Sequence, residues 1–287
     1  MHKNNQIGII GNGFVGNAVR YGFSSNVGVD YNVRVFDREP SKSTHSLSDV
    51  VNKSSFVFVS VPTPSRRTGE IDTSIIESCF EEISKVSSNE NTIFLLRSTV
   101  TPGVTRKISS QNPSLRIVFN PEFLTERTAK FDFISQTRFV VGGEACNTSQ
   151  VSQLFKGRFG KTISILETDF ESAEMVKYMT NSFLATKVSF MNEMKALCDA
   201  CDARWEDALE GFLRDGRVGH SHTQVPGPDG KFGFGGSCFP KDIQALINFS
   251  KDLNIDLNTV EGAWSTNLKV RPEQDWLELK GRAISEE

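Results

Sequence analysis

"QIGIIGNGFVGNAV" occupies residues 6–19 and joins an apolar strand to the start of a helix through Gly11, Gly13 and Gly16. The G-x-G-x-x-G spacing is weak evidence alone, because glycine-rich turns are common. Its setting strengthens it. A second apolar segment, "VRVFD" at 33–37, ends on Asp37, 21 positions after Gly16. In a dinucleotide-binding fold an acid at that point accepts hydrogen bonds from the adenosine ribose. The glycines there permit a tight turn and let the pyrophosphate approach the helix N-terminus. A plain βαβ unit with a glycine turn is the competing interpretation, and it gives Asp37 no particular task. Asp37 repels a 2′-phosphate and so favours NAD over NADP, although the adjacent Arg38 is a residue that accommodates that phosphate.

Working outward from this turn, short apolar runs recur at 6–10, 33–36, 56–61, 92–98, 116–120, 138–143 and 162–166, with helical stretches between several of them. That alternation predicts an α/β fold, a Rossmann-like doubly wound and mostly parallel sheet. The runs are nearly continuous in apolar residues, as a sheet covered on both faces requires. After about residue 168 the strand signals stop. Residues 169–203 contain neither Gly nor Pro and carry apolar residues at helical spacing, which predicts one long helix or two with a break. Asp169 and Ser172 are candidate caps. Further helices are expected at 205–214, 240–254 and 259–270. The expected organisation is a nucleotide-binding domain over 1–168 and an all-helical domain over 169–287.

Composition sets outer limits. With 38% hydrophobic and 23% charged residues the chain can bury a core, and a net charge of −3 with mixed signs argues against nucleic acid as a partner. The N-terminus lacks an apolar secretory segment and no run approaches a membrane span, so the expected compartment is the cytoplasm. Five cysteines at irregular spacing argue against a disulfide framework. Cys198 and Cys201 form a C-x-x-C inside a helical stretch, with no second pair to complete a zinc site. His220 and His222 likewise have no evident third ligand, and no metal site is expected.

"GFGGSCFPKD" at 233–242 puts Cys238 after three glycines and at a helix start, with Pro240 in the first turn. Unpaired N–H groups there favour the nucleophilic thiolate, and Lys241 is a candidate helper. Three pairs recur at four-residue spacing: Glu122 with Glu126, Lys177 with Asn181, and Cys238 with Asp242. Taken alone, the first suits an acidic first helical turn and the second an exposed helix face.

Together with "VSVPTP" at 59–64, "STVTPG" at 98–103 and "NPEFLTE" at 120–126, these residues give the resemblance. Over nearly its whole length the chain resembles the UDP-glucose/GDP-mannose dehydrogenase family, enzymes that oxidise a sugar C6 alcohol to an acid. The resemblance implies NAD as cofactor, held by Gly11, Gly13, Phe14, Val15, Gly16, Asp37, Arg38, Pro62, Thr63 and Thr99. It implies a nucleotide-sugar substrate, UDP-glucose first, bound by Glu122, Phe123, Leu124, Lys177, Asn181, Arg217, Phe234, Gly235 and Gly236. Cys238 matches the family nucleophile, which traps the aldehyde and passes through a thioester. Lys177 and Asn181 match the groups that stabilise charge on the reacting oxygen. Asp242 and Thr99 match the water and proton relay, and Glu126 the carboxylate of thioester hydrolysis. Arg217 matches an arginine that reaches the substrate of the neighbouring subunit, and the long helix matches the element around which family dimers pair.

Family members usually continue into a third, nucleotide-gripping domain that these 287 residues do not include. The 220–234 segment, Lys231 among it, is therefore a candidate source of substitute contacts. Other readings stay open: a relative acting on GDP-mannose or a UDP-N-acetylhexosamine, a 3-hydroxyacid dehydrogenase that needs no thiol, and an NAD-binding scaffold without activity.

Overall fold

The computed structural model describes residues 6–285. Strands β1 (Gln6–Ile10), β2 (Asn32–Phe36), β3 (Phe56–Val59), β4 (Ile93–Leu96), β5 (Arg116–Phe119), β6 (Arg138–Gly143) and β7 (Ser164–Thr168) form one sheet in the order β2-β1-β3-β4-β5-β6-β7. Every neighbouring pair is parallel except β5 and β6. Helices α1 (Phe14–Gly22), α2 (Leu47–Lys53), α3 (Ser74–Val86), α4 (Val104–Gln111), α5 (Ala129–Ser135) and α6 (Ala145–Phe159) come between them.

The apolar runs explain the layering. Successive side chains of a strand point to opposite faces. Phe56, Phe58, Ile93 and Leu95 accordingly join one core cluster, while Val57, Val59, Phe94 and Leu96 join the other. All four residues of both β3 and β4 are buried, as central strands covered on both faces demand. The first cluster is rich in phenylalanine, with Phe139 stacked on Phe155 at 4.0 Å, a contact worth about 1 kcal/mol beyond its buried area. Strand β7 has only β6 beside it, and half of Leu166 is exposed there.

Residues 169–203 resolve the open choice between one helix and two. Helix α7 runs unbroken from Phe170 to Ala200. Asp169 caps it, accepting from the Ser172 N–H and the Ser172 hydroxyl, both at 2.8 Å, a cap of about 1 kcal/mol. Helices α8 (Trp205–Leu213), α9 (Phe239–Asp252) and α10 (Asn258–Val270) follow close to the expected ranges.

The compact units do not divide at 168/169. Among the described residues, one comprises 6–63 and Thr73–Lys177, the other Pro64–Asp72 and 178–285. The division falls inside α7, because Phe170 and Ala173 of its first turns belong to the sheet core. Gly142 of β6 lets this happen: a Cβ there would lie 2.5 Å from Ala173 Cβ. Residues 64–72 join the second unit through main-chain bonds, Ser65 N–H to Ala283 O at 3.1 Å and Ser285 N–H to Ser65 O at 2.8 Å. No spacing rule signals that excursion. In the second unit a small core gathers Ala185, Phe234, Ile243 and Ile247, and another gathers Met191, Trp205 and Val225. Among the described residues no helix is long and apolar enough to cross a membrane.

Candidate functional site

In the first unit the glycine turn has the shape its sequence predicts. Gly11 has φ +86, and a Cβ on it would lie 2.4 Å from the Ser60 carbonyl oxygen. A Cβ on Gly16 would strike the Gly11 carbonyl at 1.9 Å, so close helix–strand approach requires both glycines. Gly13 faces open space, with nothing within 4 Å of a Cβ. Phe14 and Val15 open α1. Asp37, at the end of β2, accepts the Asn12 N–H at 2.6 Å and the Glu39 N–H at 2.9 Å. The exposed Arg38 reaches Glu82 at 3.5 Å. A tight turn, an open middle glycine and an acid at the strand end suit the pyrophosphate and ribose of a dinucleotide. Beside the turn, the segments after β3 and β4 are tied together. Thr63 Oγ1 donates to the Thr99 carbonyl at 2.8 Å, and Ser98 Oγ donates to the Val61 carbonyl at 2.6 Å. Pro62 lies exposed between these ties.

The Glu122–Glu126 pair does not share a helical face. Residues 121–125 are irregular, and Glu126 begins an exposed 3₁₀ turn over Glu126–Thr128. Glu122 instead turns inward to Lys177, whose Nζ donates to its carbonyl and to its Oε1, both at 2.6 Å. The Leu124 N–H holds the other carboxylate oxygen at 2.7 Å. Both charged side chains are almost fully buried, a burial that only pairing and hydrogen bonding make tolerable. Lys177 is therefore no exposed helix residue; its ammonium also lies 5.6 Å from the Phe123 ring centre.

Two further buried groups of this unit belong to no motif of the sequence. Glu174, three residues before Lys177, accepts the Gly103 N–H at 2.7 Å and the Thr105 N–H at 2.8 Å, fixing the start of α4 and the end of the segment that carries Thr99. Burial pushes its carboxyl up to about 7, against the opposing bonds from Thr105 and Gly103. Arg97, also fully buried, donates through Nη1 to Asn120 Oδ1 and lies against the rings of Phe58 and Phe133. Burial lowers its guanidinium to about 10. The only hint in the sequence is a charge inside an otherwise apolar segment.

In the second unit Cys238 is the residue from which α9 starts, half-buried, with Pro240 in the first turn. Its carbonyl accepts the Asp242 N–H at 2.9 Å, and Ser237 Oγ lies 3.8 Å from its sulfur. The Asp242 carboxylate is buried and shared: Asn181 Nδ2 donates to one oxygen at 2.6 Å and Lys241 Nζ to the other at 2.7 Å. Lys241 thus forms a buried ion pair with Asp242, its neighbour in the motif. Phe234 is buried, and Gly235 and Gly236 connect it toward Cys238. Arg217 is highly exposed and folds back on Asp215, its Nε at 2.9 Å from Oδ1. Lys231 pairs with Glu273 at 3.2 Å and Asp275 at 3.4 Å, so it is committed within its own unit. The His222 ring centre lies 5.4 Å from that of Phe239. Among the described residues no group of three or more His, Cys, Asp or Glu is arranged to hold a metal ion.

Chemically, the first unit offers a dinucleotide cradle and a buried ammonium beside a carboxylate. The second offers a thiol at a helix start and an amide held on a buried acid. Comparison with known proteins gives these features a common setting. Residues 35–157 match the NAD binding domain of the UDP-glucose/GDP-mannose dehydrogenase family, and residues 171–269 match its central domain. A UDP-glucose 6-dehydrogenase of Rickettsia typhi is 34% identical over 251 residues, 85% of this chain and 56% of that protein. The chain thus spans just over half the length of such relatives. Among solved structures, a UDP-glucose dehydrogenase of Pyrobaculum islandicum aligns with a TM-score of 0.80 at 25% identity, over 92% of this chain and 68% of that one. A Mycobacterium tuberculosis 3-hydroxyisobutyrate dehydrogenase shares the fold, with a TM-score of 0.73 at 18% identity over 93% of this chain and 94% of that one.

Proposed function

The chain belongs to the UDP-glucose/GDP-mannose dehydrogenase family, and from that premise we propose that it carries out the NAD-dependent oxidation of UDP-glucose to UDP-glucuronate. The observation that carries this reading is that Cys238 opens α9 half-buried, one turn before an Asp242 whose carboxylate is buried and fully engaged. A thiol retained for packing has no need of a helix start or of the glycines before it.

In this reading Lys177 and Asn181 stabilise negative charge on the sugar C6 oxygen as its proton leaves, and Asp242 and Thr99 order the water that carries the proton away. NAD, when bound, supplies the acceptor for the two electrons of each oxidation. The Cys238 sulfur adds to the C6 aldehyde as a thiohemiacetal, so that the aldehyde neither escapes nor hydrates unproductively. The second oxidation turns this adduct into a thioester. Water, activated by Glu126, cleaves the carbon–sulfur bond, releasing the carboxylate and returning the thiol. One alcohol, two NAD and one water thus yield one carboxylate, two NADH and three protons. Glu122 holds Lys177 in register throughout, and Phe123, Leu124 and Phe234–Gly236 bind the sugar. Arg217, exposed and outside its own unit's core, suits the role of reaching a second copy's substrate.

The test follows NADH with purified protein and a limiting, known amount of UDP-glucose, alongside Cys238→Ser. Two NADH per sugar in the parent, and loss of full turnover in the variant, are expected. One NADH per substrate from small hydroxyacids, indifferent to Cys238, would support a single-step hydroxyacid dehydrogenase instead. NAD binding with no turnover of any nucleotide sugar would leave a scaffold.

A homodimer is part of the same proposal. Met179, Phe183, Phe190 and Leu197 project as exposed apolar side chains from α7, and Phe190 lies 6.4 Å, ring centre to ring centre, from the exposed Phe212 of α8. An exposed stripe of large apolar residues at helical spacing is a surface that water leaves unfavourably solvated and a second copy covers.

A further inference from the structure

The glycine-rich stretch ahead of Cys238 does not hold itself in place. Two side chains one turn apart hold it, Asn267 of α10 and Arg271 directly after that helix. Asn267 is fully buried; its Oδ1 accepts the Phe234 N–H at 2.7 Å and its Nδ2 donates to the Phe234 carbonyl at 3.0 Å. The Gly233 N–H adds a bond to Asn192 Oδ1 at 3.1 Å. Arg271, 2% exposed, lies against Gly235 so closely that a Cβ there would be 2.4 Å from Nη2 and 2.5 Å from Cζ. Its guanidinium is locked from behind. Nε and Nη2 donate to the two oxygens of Asp275 at 2.9 and 2.6 Å, and Nη2 donates to Asp229 Oδ2 at 2.8 Å.

We propose that Asn267 and Arg271 are positioning residues that set the Phe234–Gly236 backbone beside Cys238, with Asp229 locking Arg271. The segment over 220–234 then has a task other than substrate contact: its Asp229 and the Phe232 carbonyl, 3.4 Å from Arg271 Nη1, close the frame. The physical reason lies in the three residues between Phe234 and Cys238. Gly235 and Gly236 have no Cβ to restrict them, and Gly236 sits at φ +72. Helix α9 fixes Cys238 from its far side, so fixing Phe234 defines both ends of a short flexible bridge. Ser237 and the amides of that bridge then keep one orientation around the sulfur. Without the frame the bridge samples many conformations, and the thiol loses its ordered surroundings.

The catalytic consequence rests on the proposed role of Cys238 as nucleophile, so the test uses a reaction that needs neither NAD nor sugar. Alkylation of the full chain by iodoacetamide, resolved by peptide mass spectrometry, gives the rate at Cys238 against the exposed Cys146 and Cys201 in the same sample. Asn267→Ala is expected to slow Cys238 about tenfold relative to those references, the scale of a loosened reactive geometry. Asp229→Asn, at a partly exposed site that the core does not need, slows it in the same direction and covers the case in which the Asn267 variant fails to fold. Gly235→Ala slows it in the parent but changes it little in an Arg271→Ala background, where the space is vacant. Unchanged relative rates in folded variants, faster alkylation in them, or an equal Gly235→Ala effect with and without Arg271 would each overturn the proposal. A parent that makes no NADH from any nucleotide sugar, while the variants still slow Cys238, removes the dehydrogenase reading and leaves the frame. Two NADH per sugar with Cys238 indifferent to the variants does the reverse.

Discussion

Gly11 and Gly13 sit two residues apart in one motif, yet the surrounding atoms give them separate tasks. Gly11 has no room for a Cβ and has φ +86, so Gly11→Ala is expected to destabilise the protein by a few kcal/mol, about the scale of combined strain and clash, and to weaken NAD as well. Gly13 has room in the free protein. Gly13→Ala should leave the unfolding midpoint within about 0.5 kcal/mol of the parent and still lower NAD affinity at least about tenfold, because its methyl meets only the pyrophosphate. Urea unfolding paired with NAD titration measures both; equal stability losses for the two variants would refute the distinction. The glycines and Asp37 were legible because their chemistry is local, a matter of φ, a missing Cβ and a fixed count along the chain. Glu122 was misleading for the opposite reason. Its spacing to Glu126 suggests a helical face, but the buried ammonium of Lys177, 55 residues away, claims it.

Among the elements, α7 shows most clearly how one periodicity can serve several surfaces. Its apolar residues predict a helix, and the absence of Gly and Pro predicts its length, but the pattern alone does not say which face is covered. Phe170 and Ala173 pack on the sheet core, and Ala185 and Met191 pack in the helical unit. Met179 and Phe183 are left more than half exposed. If a second copy covers that stripe, Phe183→Asp should convert a dimer to a monomer in size-exclusion chromatography with light scattering, since a charge buried in an apolar contact costs several kcal/mol. A parent that already elutes as a monomer would refute the pairing. Helix α9 makes a related point about local signals. Pro240 announces its start, whereas the pairing of Lys241 with Asp242 follows from the burial of that acid.

For the molecule as a whole, Glu174 links folding to pH. Its carboxyl is pushed up to about 7 from an ordinary 4.5, so between these values the folded protein binds a proton that the unfolded chain has released. Its contribution to stability is therefore fully present below about 4.5 and is lost as pH rises through 7, at most about 3 kcal/mol in all. Unfolding midpoints between pH 5 and 8 should fall with rising pH in the parent, and Glu174→Gln should flatten that part of the slope. An identical slope in the variant would remove Glu174 as its source. The sequence by itself determined the alternating strands, the glycine turn with an acid at the end of the next strand, the helical second half and a thiol at a helix start. Each depends on residues within a few positions of one another, where sterics and backbone hydrogen bonding leave few choices. Tertiary structure alone decided that Lys177 meets Glu122, that Asn181 meets Asp242, that Glu174 clamps Gly103 and Thr105, and that residues 64–72 join the helical unit. Those partners lie tens of residues apart, and a buried charge takes whichever partner the packed core brings within reach, a choice that no local period records.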